Sequence, residues 1–157
     1  MDFKISGLPA ATFAPLFQLP DATLAAQCAT RIIAQQRPGF PCRVSLREAD
    51  PGETVLLVNF EHLSVATPYR SRYAIFVREH AVAAQLAVNE VPEVLLTRLL
   101  SVRAFSVAGM LVTADVVHGR DAAATMGQML EMTGVQYLHV HNAKPGCFAA
   151  RVDRADA

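Results

Sequence analysis

The tightest constraint in the sequence is a hairpin. Ser101 to Val107 and Met110 to His118 are two β-rich runs that flank Ala108-Gly109. So short a connection permits only antiparallel pairing, because parallel neighbours need a crossover of a dozen residues or more. Further strand-like runs recur at Phe3–Ser6, Arg31–Ala34, Thr54–Phe60, Tyr73–Val77, Val135–His141 and Phe148–Val152. They do not alternate regularly with helical segments, which argues against a doubly wound parallel sheet.

Helical spacing is confined to short pieces. Phe13, Leu16 and Phe17 mark one within residues 10–18, which Pro20 ends. Asp21 reads as the N-cap of a second piece running to Cys28, with Leu24 inward and Cys28 a small buried hydrophobe. Pro92 suits the first position of a helix containing Val94, Leu95 and Leu99. Asp121 reads as the cap of Ala122 to Met132, whose Met126, Met129 and Leu130 stripe belongs to the core. Residues 81–91 fit an Ala-rich helix or a loop, and Val44-Ser45-Leu46 a strand fragment or a turn. The expected architecture is α+β: a single domain over residues 1–157, with a mixed but largely antiparallel sheet of about six or seven strands and three or four short helices packed on it.

Composition excludes several classes of function. At 157 residues and 52% apolar the chain can bury a substantial core. The positive mean hydropathy of +0.27 leaves apolar surface that a homodimer would cover. Acidic and basic residues balance at 14 each, so nothing draws the protein generally to nucleic acid or to anionic membranes. No apolar run is long enough to span a bilayer, and Met1-Asp2-Phe3-Lys4 does not open a signal peptide. Three widely spaced cysteines do not form a disulfide framework, so reduced thiols and a cytoplasmic location are expected.

Against this plain scaffold, Tyr137-Leu138-His139-Val140-His141-Asn142-Ala143-Lys144-Pro145-Gly146-Cys147 concentrates reactive side chains. It holds two of the five histidines, one of the two lysines and one of the three cysteines. On a strand, Leu138 and Val140 face one way while Tyr137, His139 and His141 face the other. That polar face is either solvated and structural or part of a site. Two imidazoles two residues apart can share a divalent metal, with Cys147, Cys42, Glu61, His62 or Asp115 as possible further ligands. The pair resembles the cupin double histidine, but residues 144–147 lack the acidic partner. It also resembles the histidine-triad hydrolases, but Ala143 stands where their third histidine would be.

Without metal, His139 or His141 could act as general base to a nucleophilic Cys147 or Cys42, each of which has a basic neighbour in Lys144 or Arg43. Arg43, Asn142, Lys144, Arg151 and Tyr137 are the residues expected to hold a substrate. The arginines suit a carboxylate or phosphate.

Two motifs carry a family resemblance. Pro38-Gly39-Phe40-Pro41-Cys42-Arg43-Val44-Ser45-Leu46 and His139-Val140-His141-Asn142-Ala143-Lys144-Pro145-Gly146-Cys147 resemble the signatures of the bacterial family DUF1203, a domain of unknown function. Val91-Pro92-Glu93-Val94-Leu95, Ala114-Asp115-Val116-Val117 and Arg151-Val152-Asp153-Arg154 fit the same family, so the likeness spans nearly the whole chain. It implies a small cytosolic bacterial protein and no particular activity. Two readings of function therefore stay open. One is a small enzyme whose pocket lies where loops 37–43 and 142–147 meet the His139/His141 face, acting on a small anionic molecule. The other is a non-catalytic ligand- or metal-binding domain, or an interaction domain with a structural polar core.

Overall fold

The computed structural model describes residues 1–155. Eight strands form two antiparallel sheets rather than one. The larger sheet takes the order β1-β8-β7-β5-β6, from β1 (Phe3–Ser6), β8 (Phe148–Arg154), β7 (Tyr137–Asn142), β5 (Leu99–Phe105) and β6 (Leu111–His118). The smaller takes the order β2-β3-β4, from β2 (Ala29–Ile33), β3 (Thr54–Leu63) and β4 (Ser71–Arg78). The α+β class is as expected, and the hairpin that suggested it is the β5–β6 pair, registered from Leu99↔His118 to Phe105↔Leu111.

Each sheet has its own core. One face of the larger sheet packs on α4 (Ala122–Glu131), whose Met126, Met129 and Leu130 meet Leu100, Val102, Leu138, Val140 and Val152. The smaller sheet is covered by α1 (Ala10–Phe13), the 3-10 turn Ala14–Gln18 and α2 (Asp21–Ala26), through Phe13, Phe17 and Leu24 against Val58, Ile75 and Val77. Between the sheets lies the 40–48 loop. Arg43 N–H donates to the Phe76 carbonyl on β4, Leu8 N–H donates to the Arg43 carbonyl, and Leu46 N–H returns to the Cys42 carbonyl.

Local expectations fail where tertiary pairing overrides periodicity. Leu99 does not belong to a helix: α3 stops at Glu93–Leu96, and β5 claims Leu99 for its pairing with β6. Pro92 and Pro20 hold the extended cap positions, so α3 starts at Glu93 and α2 at Asp21. Asp21 is thus the first helical residue, bonded to Arg31 Nε at 3.2 Å, and not a cap. Asp121 precedes α4 in a helical conformation that aims no side-chain bond at the first amides. Cys28 is exposed at φ 55°, where the chain reverses into β2, and not buried. Residues 81–87 form no regular element, and 44–46 turn through a left-handed Leu46 at φ 50°.

One close approach positions the later site. Gly119 N–H donates to the Arg98 carbonyl at 2.8 Å, and a Cβ on Gly119 would overlap the Leu95 carbonyl. Backbone cannot yield as a side-chain tip can, so Gly119→Ala must displace α3 and the Thr97-Arg98-Leu99 segment behind it. We expect a loss of about 2 kcal/mol or more in denaturant unfolding. Gly52→Ala provides the contrast, because nothing lies within 4 Å of its added Cβ and only its φ of +93° resists.

Candidate functional site

The 142–147 turn is built by the hairpin that joins β7 to β8. Asn142 N–H donates to the Cys147 carbonyl at 2.9 Å and Gly146 N–H to the Asn142 carbonyl at 2.8 Å, with Gly146 at φ 79° closing the reversal. This turn and the Pro/Gly loop meet at Arg43. The side chain is only 2% exposed. Its Nε donates to the Phe148 carbonyl at 2.6 Å, Nη1 to the Pro41 carbonyl, and Nη2 to Cys147 Sγ at 2.9 Å. Asn142 Nδ2 donates to the same sulfur at 3.4 Å. Burial pulls the Arg43 guanidinium below its usual pKa, and the groups that work against that pull are Cys147 and Cys42. A buried cation without a carboxylate partner is costly, and among the described residues none pairs with Arg43.

Beside this pair lies a cavity of about 460 Å³ between the two sheets. Arg43, Asn142, Lys144 and Cys147 line one side, Leu57, Tyr73 and Phe76 the other, with Arg98 at the α3–β5 junction. Among the described residues its lining includes three cations and no carboxylate. Arg98 is neutralised from behind by Glu48, which also accepts the Gly39 and Phe40 amides at 3.0 Å each. Arg43 and Lys144 have no such partner among the described residues. A larger cleft of about 850 Å³ runs beneath residues 80–86; its Arg37, Arg78 and Arg98 are paired with Asp50, Glu53 and Glu48, Arg47 is exposed, and Glu48, Glu90 and Glu93 set carboxylates beside these cations.

The chain belongs to the family DUF1203. Its family model, described as a protein of unknown function, matches residues 39–154. The match takes in both loops of the cavity and every strand from β3 to β8. No curated protein and no solved structure matches the chain. Among the described residues no helix is long and apolar enough to cross a membrane.

The expected site residues fall into two groups. Arg43, Asn142, Lys144 and Cys147 come together at the cavity. Cys42 does not: its sulfur lies in the core of the smaller sheet, accepting the Arg78 amide at 3.3 Å and the Ser45 amide at 3.5 Å. Tyr137, His139 and His141 face the second layer of the larger sheet, beneath the end of β3. His62 reaches over from β3, its ring stacked on Phe148 at 5.4 Å and 5.0 Å from the His141 ring. Tyr137 stacks on Phe105, and Arg151 lies over the Tyr137 ring while bonding to Asp153. None of these lines the cavity.

His139 and His141 are buried in this layer. Burial, with the charges of His141, His62, Arg151 and Arg103 adding to it, holds His139 down to about 3. Burial likewise holds His141 at about 3, although its bond to the Gly146 carbonyl at 3.0 Å pulls the other way. That carbonyl accepts from Nδ1–H and so leaves Nε2 as the unprotonated nitrogen. Imidazoles this hard to protonate are weak bases at neutral pH, and neither lines the cavity that holds Cys147. Neutral imidazole is also the form that ligates metal. Yet among the described residues no group of three or more His, Cys, Asp or Glu side chains is disposed to hold an ion. His62 Nδ1 and His139 Nδ1 are buried without a partner.

Sequence reasoning missed Leu57, Tyr73, Phe76, Thr97 and Leu99 as cavity walls. Each belongs to an unremarkable strand or strand edge, and only the meeting of the two sheets gives it a role.

The histidines set an acid limit on stability. The folded state keeps His139 and His141 neutral while the unfolded chain takes up protons below about 6.5. Stability is therefore full above that pH and lost as pH falls toward 3, by about 1.4 kcal/mol per pH unit for each imidazole. His139→Phe keeps a ring in the aromatic layer and deletes the unpartnered nitrogen. Unfolding curves at pH 7.5 should show it at least as stable as the wild type, and curves down to pH 4 should show a slope shallower by about one proton.

Proposed function

We propose that this protein is a small enzyme that binds a small anionic molecule in the cavity between its sheets and attacks it with Cys147. One observation carries the reading. Among the described residues the cavity is lined by three cations and no carboxylate, and the buried guanidinium of Arg43 donates at 2.9 Å to the one cysteine sulfur in its wall. In this reading Arg43 and Lys144 draw in the anionic group by charge. Cys147 Sγ, giving up its proton to water, forms a bond to an electrophilic carbon of the substrate, and a leaving group departs from that carbon with the bonding pair. Arg43 and Asn142 hold that sulfur in position with N–H bonds. Because Arg43 is already locked to two carbonyls, its field acts without rearrangement. Three free thiols suit a reducing bacterial cytoplasm, where we infer the protein works.

A second reading, capture of the anion without turnover, is favoured by one feature. Among the described residues no imidazole or carboxylate is bonded to Cys147, and His141 spends its Nδ1–H on Gly146.

Alkylation rates test the anionic site, with exposed Cys28 as an internal reference. Iodoacetate and iodoacetamide differ in charge but not in reacting carbon. We expect the iodoacetate-to-iodoacetamide rate ratio at Cys147 to exceed that at Cys28 by about tenfold at low salt, and to fall as salt screens the cavity. Lys144→Met should cut the excess about threefold. Equal ratios at the two cysteines would refute an anion-seeking nucleophile.

A further inference from the structure

We infer that the ligand of this cavity is an amphipathic anion, its charged group joined to a flat apolar or aromatic body. The inference rests on the anionic reading above and concerns the opposite wall. There Leu57 and Phe76 are partners across β3 and β4, Tyr73 stands farther along β4, and Leu99 begins β5. Pro41 and Pro145 close the sides. On the same two strands, Leu56, Val58, Ile75 and Val77 are fully packed in the cores. Leu57, Phe76 and Leu99 are instead half-buried, and Tyr73 is 49% exposed.

This leaves a cluster of large apolar side chains open to water on one side of a cavity whose other side is cationic. The cavity of about 460 Å³ falls within the usual range of small-ligand pockets, which are mostly apolar with a few polar anchors. A small hydrophilic anion would satisfy Arg43 and Lys144 and leave Leu57, Tyr73 and Phe76 wet. An apolar cation or neutral molecule would cover the wall and meet two unpaired positive charges. A flat carboxylate does both, with its ring against Leu57 and Phe76, which are paired across β3 and β4 on one face of the sheet, where offset or edge-on aromatic contact with Phe76 adds to area burial.

Protection of Cys147 from iodoacetamide in the full-length protein, read by peptide mass spectrometry against Cys28, tests this with three probes. Benzoate has both features, acetate only the charge and benzamide only the ring. The expected half-protecting concentration of benzoate is about tenfold or more below those of acetate and benzamide. Leu57→Ser, half-buried in that wall, should raise the benzoate value about fivefold and shift the acetate value less than twofold. Equal protection by benzoate and acetate overturns the apolar requirement and leaves the anionic site standing. Equal protection by benzoate and benzamide overturns the anionic reading, and this inference with it. No protection by any of the three overturns both.

Discussion

The guanidinium of Arg43 ties together two parts of the chain that are about a hundred residues apart in sequence. Through the carbonyls of Pro41 and Phe148 and the sulfur of Cys147 it fastens the Pro/Gly loop to the β7–β8 hairpin. Removing its side chain would take a donor from two carbonyls and leave the Cys147 sulfur only its longer bond from Asn142, and each unmet buried acceptor costs about 1–3 kcal/mol. The surroundings repeat the pattern with Glu48, which accepts two amides of the same loop and the guanidinium of Arg98. The loop lacks regular structure because its backbone groups are spoken for by side chains, and it is no less fixed for that.

The two sheets touch through unlike surfaces on the two flanks of this knot. On one flank, the end of β3 lays His62 and Leu63 over Phe148, Tyr137 and Phe105, forming a layer of aromatic rings and imidazoles. On the other, Leu57, Tyr73 and Phe76 stand off from Asn142 and Lys144, leaving the cavity. The same β7–β8 hairpin thus contributes its histidines to a packed seam and its turn to an open one. Alternation along the strand puts His139 and His141 on one face, and the turn carries Lys144 and Cys147 away from it.

How much of this could be read from residues alone depended on how local the cause was. The β5–β6 hairpin and the strand of residues 137–142 were legible because turn chemistry and apolar alternation act over a few residues. The convergence of the 37–43 and 142–147 loops was anticipated from two clusters of Pro, Gly and Cys. That Cys147 rather than Cys42 faces the cavity was not, since neighbours in sequence cannot say which way a loop side chain turns. The surroundings of His139 and His141 were not legible for a related reason. An imidazole's basicity depends on what covers it, and the cover here is β3, some eighty residues away in sequence. The failure at Leu99 has the same origin, a strand partner overruling a helical rhythm.

The position of Arg43 also bears on how such a protein can change over generations. Proteins drift within a stability threshold, and residues that serve only a reaction can be exchanged while the scaffold persists. Here the side chain that orients the cavity's sulfur is the one that closes the loop between the sheets. Substitutions that would retune the site therefore tax folding at the same time, and most lineages testing them would lose the protein before they gained a new ligand. Variation in what this pocket accepts should accumulate instead on the strand side, at Tyr73 and its neighbours, where a side chain can be replaced without undoing the fold.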